Sequence, residues 1–242
     1  MRLLVTRPEP DASRQAEDLR AMGHEPVLAP LLTIKLVEDV PLQLEHAQAL
    51  IITSRNALRA IAARPELNEA LGLPLYAVGE ATAHAAAELG FRHVVTGPGT
   101  GAELVPLIAG ELDVSQGPLV HLAGETLAFD LKSALQAKGF KVHQPVLYAA
   151  LPADGLPRQA LQLLRGGDLD GVILMSPRTA AIFAGLVTRA GAVTQASELR
   201  CYCLSQSVAE AVAPLRSKIL VASAPREEEL LALIDSETAS SG

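Results

Sequence analysis

The chain has 242 residues, with 20 Lys+Arg against 27 Asp+Glu and a formal net charge of −7. Hydrophobic residues make up 49% and charged residues 19%, which excludes a disordered chain and a coiled coil; the length suits one large α/β domain or two of ordinary size. The negative balance speaks against non-specific binding to nucleic acid or to an anionic membrane, so an anionic ligand would have to be attracted by local groups.

From the N-terminus, short apolar runs predict strands near 2–6, 26–31, 49–53, 74–78, 93–96, 119–122, 142–148, 170–175, 200–204 and 219–222. Ala49-Leu50-Ile51-Ile52 and Gly171-Val172-Ile173-Leu174-Met175 are continuous apolar runs, as suits strands covered on both faces of a parallel sheet. Amphipathic segments between them predict helices near 10–22, 55–63, 80–89, 101–110, 126–138, 157–165, 177–190, 206–214 and 226–235. In the first of these, Ala12, Ala16, Leu19 and Met22 form one stripe, and Gly23 is placed to end the helix. Strand–helix–strand alternation implies right-handed crossovers and parallel sheets. The opening apolar run is too short for a secretory signal, and no stretch approaches a membrane span, so a soluble protein of the cytoplasm is expected. Cys201 and Cys203, read as pointing to opposite faces of a strand, form neither a bridge nor a metal clamp.

The chain also repeats itself. Leu19-Arg20-Ala21-Met22-Gly23-His24-Glu25-Pro26-Val27 matches Leu135-Gln136-Ala137-Lys138-Gly139-Phe140-Lys141-Val142-His143. In the same order, Leu3-Leu4-Val5 matches Leu119-Val120-His121, Thr53-Ser54-Arg55-Asn56 resembles Met175-Ser176-Pro177-Arg178, and the segments beginning at Tyr76 and Tyr202 resemble each other. Two copies of five strands imply two similar domains. Their boundary falls either near Gly110–Pro118 or at two crossings, in the polar stretches Glu38-Asp39-Val40-Pro41 and Pro152–Pro157.

Familiar catalytic signatures are missing: no phosphate-binding loop, no His-Glu-x-x-His, no glycine-rich dinucleotide turn and no nucleophile elbow. Six scattered histidines have no metal-ligand spacing. What remains is a series of strand-to-helix turns: Thr6-Arg7-Pro8, Thr53-Ser54-Arg55-Asn56, Gly79-Glu80-Ala81-Thr82, Gly124-Glu125-Thr126, Ser176-Pro177-Arg178-Thr179 and Ser205-Gln206-Ser207. In a parallel α/β sheet such turns lie where ligands bind, with helix N–H groups available to carboxylates. Singly, each hydroxyl reads as an ordinary N-cap; as a set, they favour a binding cleft. Arg7, Arg55 and Arg178 are either bidentate carboxylate partners or surface arginines. His121, Tyr76 and Tyr202 read as core. Tyr148 is either a packing aromatic at a hinge or a hydroxyl facing an interdomain cleft.

In this order and spacing, Leu4-Val5-Thr6-Arg7-Pro8, Leu50–Ala57, Tyr76–Ala83, Leu122-Ala123-Gly124-Glu125 and Leu174–Thr179 resemble the uroporphyrinogen-III synthase family, across residues 3 to about 234. The resemblance implies two flavodoxin-like, doubly wound α/β domains, each with a parallel five-stranded sheet, joined by a two-stranded linker. One domain would comprise residues 1–35 and 150–242, the other residues 36–149, with strands near Ile34–Val37 and Leu147–Ala150 as linker and hinges near 33–37 and 147–153. It implies a cofactor-independent and metal-free cyclisation of linear hydroxymethylbilane to uroporphyrinogen III, with ring D inverted and water lost. Tyr148 takes the position of the family's implicated tyrosine and Thr82 that of a cleft threonine. Thr6, Arg7, Thr53, Ser54, Arg55, Gly79, Gly124, Ser176, Arg178 and Ser207 are the other expected substrate contacts. Ser205 departs from a glycine often found in the family, and Ser207 stands where a hydroxyl residue follows it. A monomer is expected, with room for transient hand-off from the preceding enzyme. The competing readings are a non-catalytic two-domain protein closing on an anionic metabolite and a regulatory module on the same fold.

Overall fold

Apolar runs with alternating side-chain direction become strands buried on both faces, and the computed structural model describes this for residues 1–239. In chain order the elements are β1 (Arg2–Val5), α1 (Asp11–Ala21), β2 (Glu25–Leu28), β3 (Leu32–Leu36), β4 (Ala49–Ile52), α2 (Arg55–Ala62), α3 (Leu67–Ala70), β5 (Leu75–Ala77), α4 (Glu80–Leu89), β6 (Val94–Thr96) and α5 (Gly101–Glu111). They continue with β7 (Leu119–Gly124), α6 (Leu131–Gln136), β8 (Val142–His143), β9 (Val146–Pro152), α7 (Arg158–Gly166), β10 (Gly171–Leu174), α8 (Pro177–Arg189), α9 (Val193–Ala196), β11 (Arg200–Cys203), α10 (Gln206–Val212), β12 (Lys218–Val221) and α11 (Glu227–Ala239).

The chain divides into two compact units, Met1–Thr33 with the chain from Leu151 onward, and Ile34–Ala150. It leaves the first unit within β3 and returns within β9, and these two strands are sheet neighbours.

The first unit holds a five-stranded parallel sheet in the order β2-β1-β10-β11-β12. Numbered along the unit's own strands, that order is 2-1-3-4-5. Leu4, Val172, Leu174, Cys201 and Cys203 enter one core, with Phe183 of α8 and Val208 of α10. Leu3, Val5, Ile173 and Tyr202 enter the other, with Leu19 of α1 and Leu230 of α11. Both cysteines therefore point to the same face, which corrects the expectation of opposite faces: residues two apart in a strand share a face, and Tyr202 between them takes the other. Both are buried free thiols.

In the second unit β8 and β9 are two pieces of one strand along β7, and the order continues β7-β4-β5-β6. With β3 beside β9 the sheet counts seven strands, not the five expected, because the edge strand is interrupted and the crossing segment adds to it. Leu50, Ile52, Val120 and Leu122 pack with α2, α3 and α4 on one face, and Ala49, Ile51, Tyr76 and Leu119 with α5 and α6 on the other.

The internal repeat has a local cause. At the end of α1, Gly23 adopts φ 82° and its N–H donates to Arg20 O, while His24 N–H donates to Leu19 O. At the end of α6, Gly139 adopts φ 96° and donates to Gln136 O, while Phe140 N–H donates to Leu135 O. Both are six-residue helix stops that need a left-handed glycine; the first feeds β2, beside β1, and the second feeds β8, beside β7. The predicted helix over 126–138 is shorter than expected, because the Asp130 carboxylate accepts from Ser133 N–H and starts α6 at Leu131. No helix among the described residues is long and apolar enough to cross a membrane.

Candidate functional site

Parallel strands in each unit end at one sheet edge, and there the expected turns lie. In the second unit, Ser54 caps α2 and accepts from Asn56 N–H at 3.2 Å, and Arg55 opens the helix half-buried. Thr53 Oγ1 lies 3.3 Å from His121 Nε2, and His121 Nδ1 lies 3.1 Å from Gln144 Oε1. His121 is thus a buried, satisfied link from β7 to the turn that carries Thr53, a role that its place in an apolar run could not announce. Gly79 is the extended N-cap of α4, and a β-carbon there would come within 3.3 Å of Gly99 Cα. Its smallness lets the turn after β5 pack against the Gly97–Gly101 turn, which no sequence motif singles out. Thr82, in the first turn of α4, is buried, 7% exposed.

Gly124 ends β7, and the ring of Tyr148 from β9 lies directly on it. Glu125 N–H donates to Tyr148 O at 2.9 Å. Tyr148 is half-buried, whereas Tyr76 and Tyr202 are core residues, as their sequence positions predict. Burial pushes both of their phenols up to about 12, and in Tyr76 a hydrogen bond to Glu111 adds to the shift.

In the first unit, Ser176 caps α8, accepting from Thr179 N–H at 3.1 Å and lying 2.8 Å from Thr179 Oγ1. Arg178 is half-buried in the first turn of α8. Ser205 precedes α10 in extended backbone, and its hydroxyl lies 3.0 Å from that of exposed Ser207.

Two of the expected contact residues have internal partners. Thr6 is fully buried, and its hydroxyl donates to Ile173 O at 2.6 Å, so it ties the end of β1 to β10. Arg7 is 7% exposed and pairs with Glu227 from the first turn of α11 and, at 3.8 Å, with Asp11 of α1. Gln15 Nε2 donates to the same Glu227 carboxylate at 3.0 Å. Arg7 is therefore committed to internal carboxylates, the nearest of them supplied by a residue 220 positions away. No local pattern links Arg7 to Glu227; the only hint is the Glu227-Glu228-Glu229 run, which opens a helix as acidic residues commonly do.

A groove of about 520 Å³ in the first unit, lined by Met1, Arg2, His24 and Asp170 among others, lies at the opposite edge of the sheet from these turns. His24 and His121 both titrate below the ordinary histidine range, chiefly through burial, with the N-terminal ammonium adding to the effect on His24. An unfolded chain binds their protons more readily, so their neutral forms stabilise the fold above pH about 6.5, and that contribution is lost as pH falls through the folded-state values. The urea midpoint should accordingly fall between pH 7.5 and 5, before the carboxylates titrate. An unchanged midpoint across that range would show that neither ring is held neutral.

The family model described as uroporphyrinogen-III synthase HemD matches residues 13–232. No curated protein sequence matches the chain. Among solved structures, uroporphyrinogen-III synthetase from Helicobacter pylori 26695 is similar at 19% identity and a TM-score of 0.65, with 98% of each chain covered. A mutant uroporphyrinogen III synthase from the extremely thermophilic bacterium Thermus thermophilus is similar at 20% identity and a TM-score of 0.60, covering 99% of this chain and 97% of that one. At these identities the two structures speak for the fold, and the family match speaks for kinship. Because that match runs through both units and nearly the whole length, the chain belongs to the uroporphyrinogen-III synthase family, the cyclising lyases of haem biosynthesis.

Proposed function

We propose that this chain closes hydroxymethylbilane to uroporphyrinogen III, inverting ring D and releasing one water, and that Tyr148 acts on the departing hydroxyl. The observation that carries the reaction is the family match over residues 13–232. For Tyr148 the support is positional: a half-buried phenol, held at the ligand-binding edge of a parallel sheet where β7 ends. A hydrogen bond or proton from the phenol lets the hydroxyl leave as water. The resulting azafulvene is attacked through ring D to give a spiro-pyrrolenine, which reopens and closes at the other position of that ring. Unaided closure gives the uninverted isomer, so holding the chain in the spiro geometry is the larger task.

That task falls to the turns at Thr53–Arg55, Gly79–Thr82, Ser176–Arg178 and Ser207, whose hydroxyls and helix N–H groups suit carboxylates, and to the turn after Gly124, which runs ahead of α6. Arg55 and Arg178 add charge at two helix starts. We take the two units as flavodoxin-like domains, with hinges at 33–37 and 147–153 where β3 and β9 carry the crossings. Order 2-1-3-4-5 in the first unit supports that reading. A monomer acting in the cytoplasm completes the proposal.

Incubation with freshly generated hydroxymethylbilane, followed by separation of the product isomers, tests the reaction. Uroporphyrinogen III should form well above the spontaneous rate of closure. Tight binding without turnover, or only the uninverted isomer at the spontaneous rate, would refute it.

A further inference from the structure

We infer that Gly124 is a positioning residue: its missing side chain is the seat of the Tyr148 phenol. This rests on the reading of Tyr148 as the side chain that acts on the departing hydroxyl. A β-carbon at Gly124 would stand 2.6 Å from Tyr148 Cζ, 2.8 Å from Cε2 and 2.8 Å from the hydroxyl oxygen. All three are far inside van der Waals contact, and they lie at the reactive end of the ring. Gly124 is not among the glycines with positive φ, so its backbone is open to any residue and only its size is required here.

The local register shows how the ring comes to lie there. Ala123 pairs with Val146, but Gly124 pairs with Tyr148, so two steps on β9 match one on β7. Such an irregularity re-aims the side chain that follows it. Leu147 goes fully into the core, and its carbonyl accepts from Val37 N–H at 2.8 Å. The backbone of Tyr148 is held in turn by the hydrogen bond from Glu125 N–H. Main chain is thus fixed on both sides of the ring, and a methyl group at position 124 can be accommodated only by moving the phenol.

Gly124→Ala is therefore expected to lower kcat about tenfold or more, as loss of a general acid does, with KM within about twofold of the parent. The double variant Gly124→Ala/Tyr148→Phe should be no slower than Tyr148→Phe alone, since both changes remove one function. The chain has three tyrosines, so 3-fluorotyrosine labelling gives one ¹⁹F resonance each, and Gly124→Ala should move that of Tyr148 and leave those of Tyr76 and Tyr202 in place. If Gly124→Ala fails to fold, Gly124→Ala/Tyr148→Ala should fold again, because the ring that meets the methyl group is gone. Parental kcat with an unmoved Tyr148 resonance would overturn the inference. So would multiplicative slowing in the double variant, or a folding defect that removal of the ring does not relieve. Should Tyr148→Phe itself prove fully active, the catalytic reading falls, and the ¹⁹F resonance alone decides whether Gly124 seats the ring.

Discussion

Tyr148→Phe should lower kcat by about tenfold or more while leaving the protein folded and KM close to the parent value. The substitution removes one oxygen. It keeps the ring that lies on Gly124 and packs against the core of Leu50, Ile52 and Leu147. A hydrogen bond that strengthens only as the hydroxyl departs is a transition-state interaction, so its loss appears in kcat and not in binding. The inverted isomer should remain the product, because ring D attacks after departure and its geometry is set elsewhere. Single-turnover kinetics with isomer separation gives both readouts. Parental turnover would remove Tyr148 from the chemistry, and a switch to the uninverted isomer would show that it shapes the substrate instead.

Arg7→Met should cost the first unit about 2–3 kcal/mol of stability. The side chain is 8% exposed beside Asp11 at 10% and Glu227 at 21%. Removing the cation takes one partner from each of two largely buried carboxylates, and the Gln15 amide remains as a donor to Glu227. The loss should stay below that of a fully buried pair, because Arg14 approaches both Asp11 and Glu227 at 3.7 Å from a half-exposed position. Arg7→Lys should recover part of it, since an ammonium keeps the charge without the fork that meets two carboxylates. Urea unfolding followed through the Tyr202 ¹⁹F resonance reports on this unit. Unchanged stability together with a several-fold rise in KM would mean that Arg7 faces the substrate after all.

What can be read in the chain, and what cannot, follows the range of each interaction. Ala49–Ile52 and Gly171–Leu174 announce buried strands because parallel sheets covered on both faces leave no polar position in them. The match between Leu19–Val27 and Leu135–His143 marks a helix stop whose glycine is required within six residues. By contrast α3 and α9, four residues each, are shorter than one amphipathic repeat and leave no periodic signal. The same limit applies at the site. Ser54 and Ser176 cap helices through contacts two or three residues away, and the turn chemistry exposes them. Arg7 reads as an open cation because Glu227 arrives only when α11 folds back onto α1. Thr6 reads as a ligand donor because Ile173 O lies on a strand 167 residues on. Gly124 is legible as a turn glycine, but the ring that requires it comes from a register shift no sequence pattern encodes.

Carboxylate capture by the turns at the sheet edges of both units is the step on which the proposed reaction depends. Hydrogen–deuterium exchange with and without uroporphyrinogen III, kept reduced, tests this most directly. Binding should slow exchange at the amides of 53–57, 79–83, 124–126, 176–180 and 205–208 together, and leave the opposite edge near Arg2, His24 and Asp170 unchanged. Protection confined to one unit, or centred on that opposite edge, would contradict it.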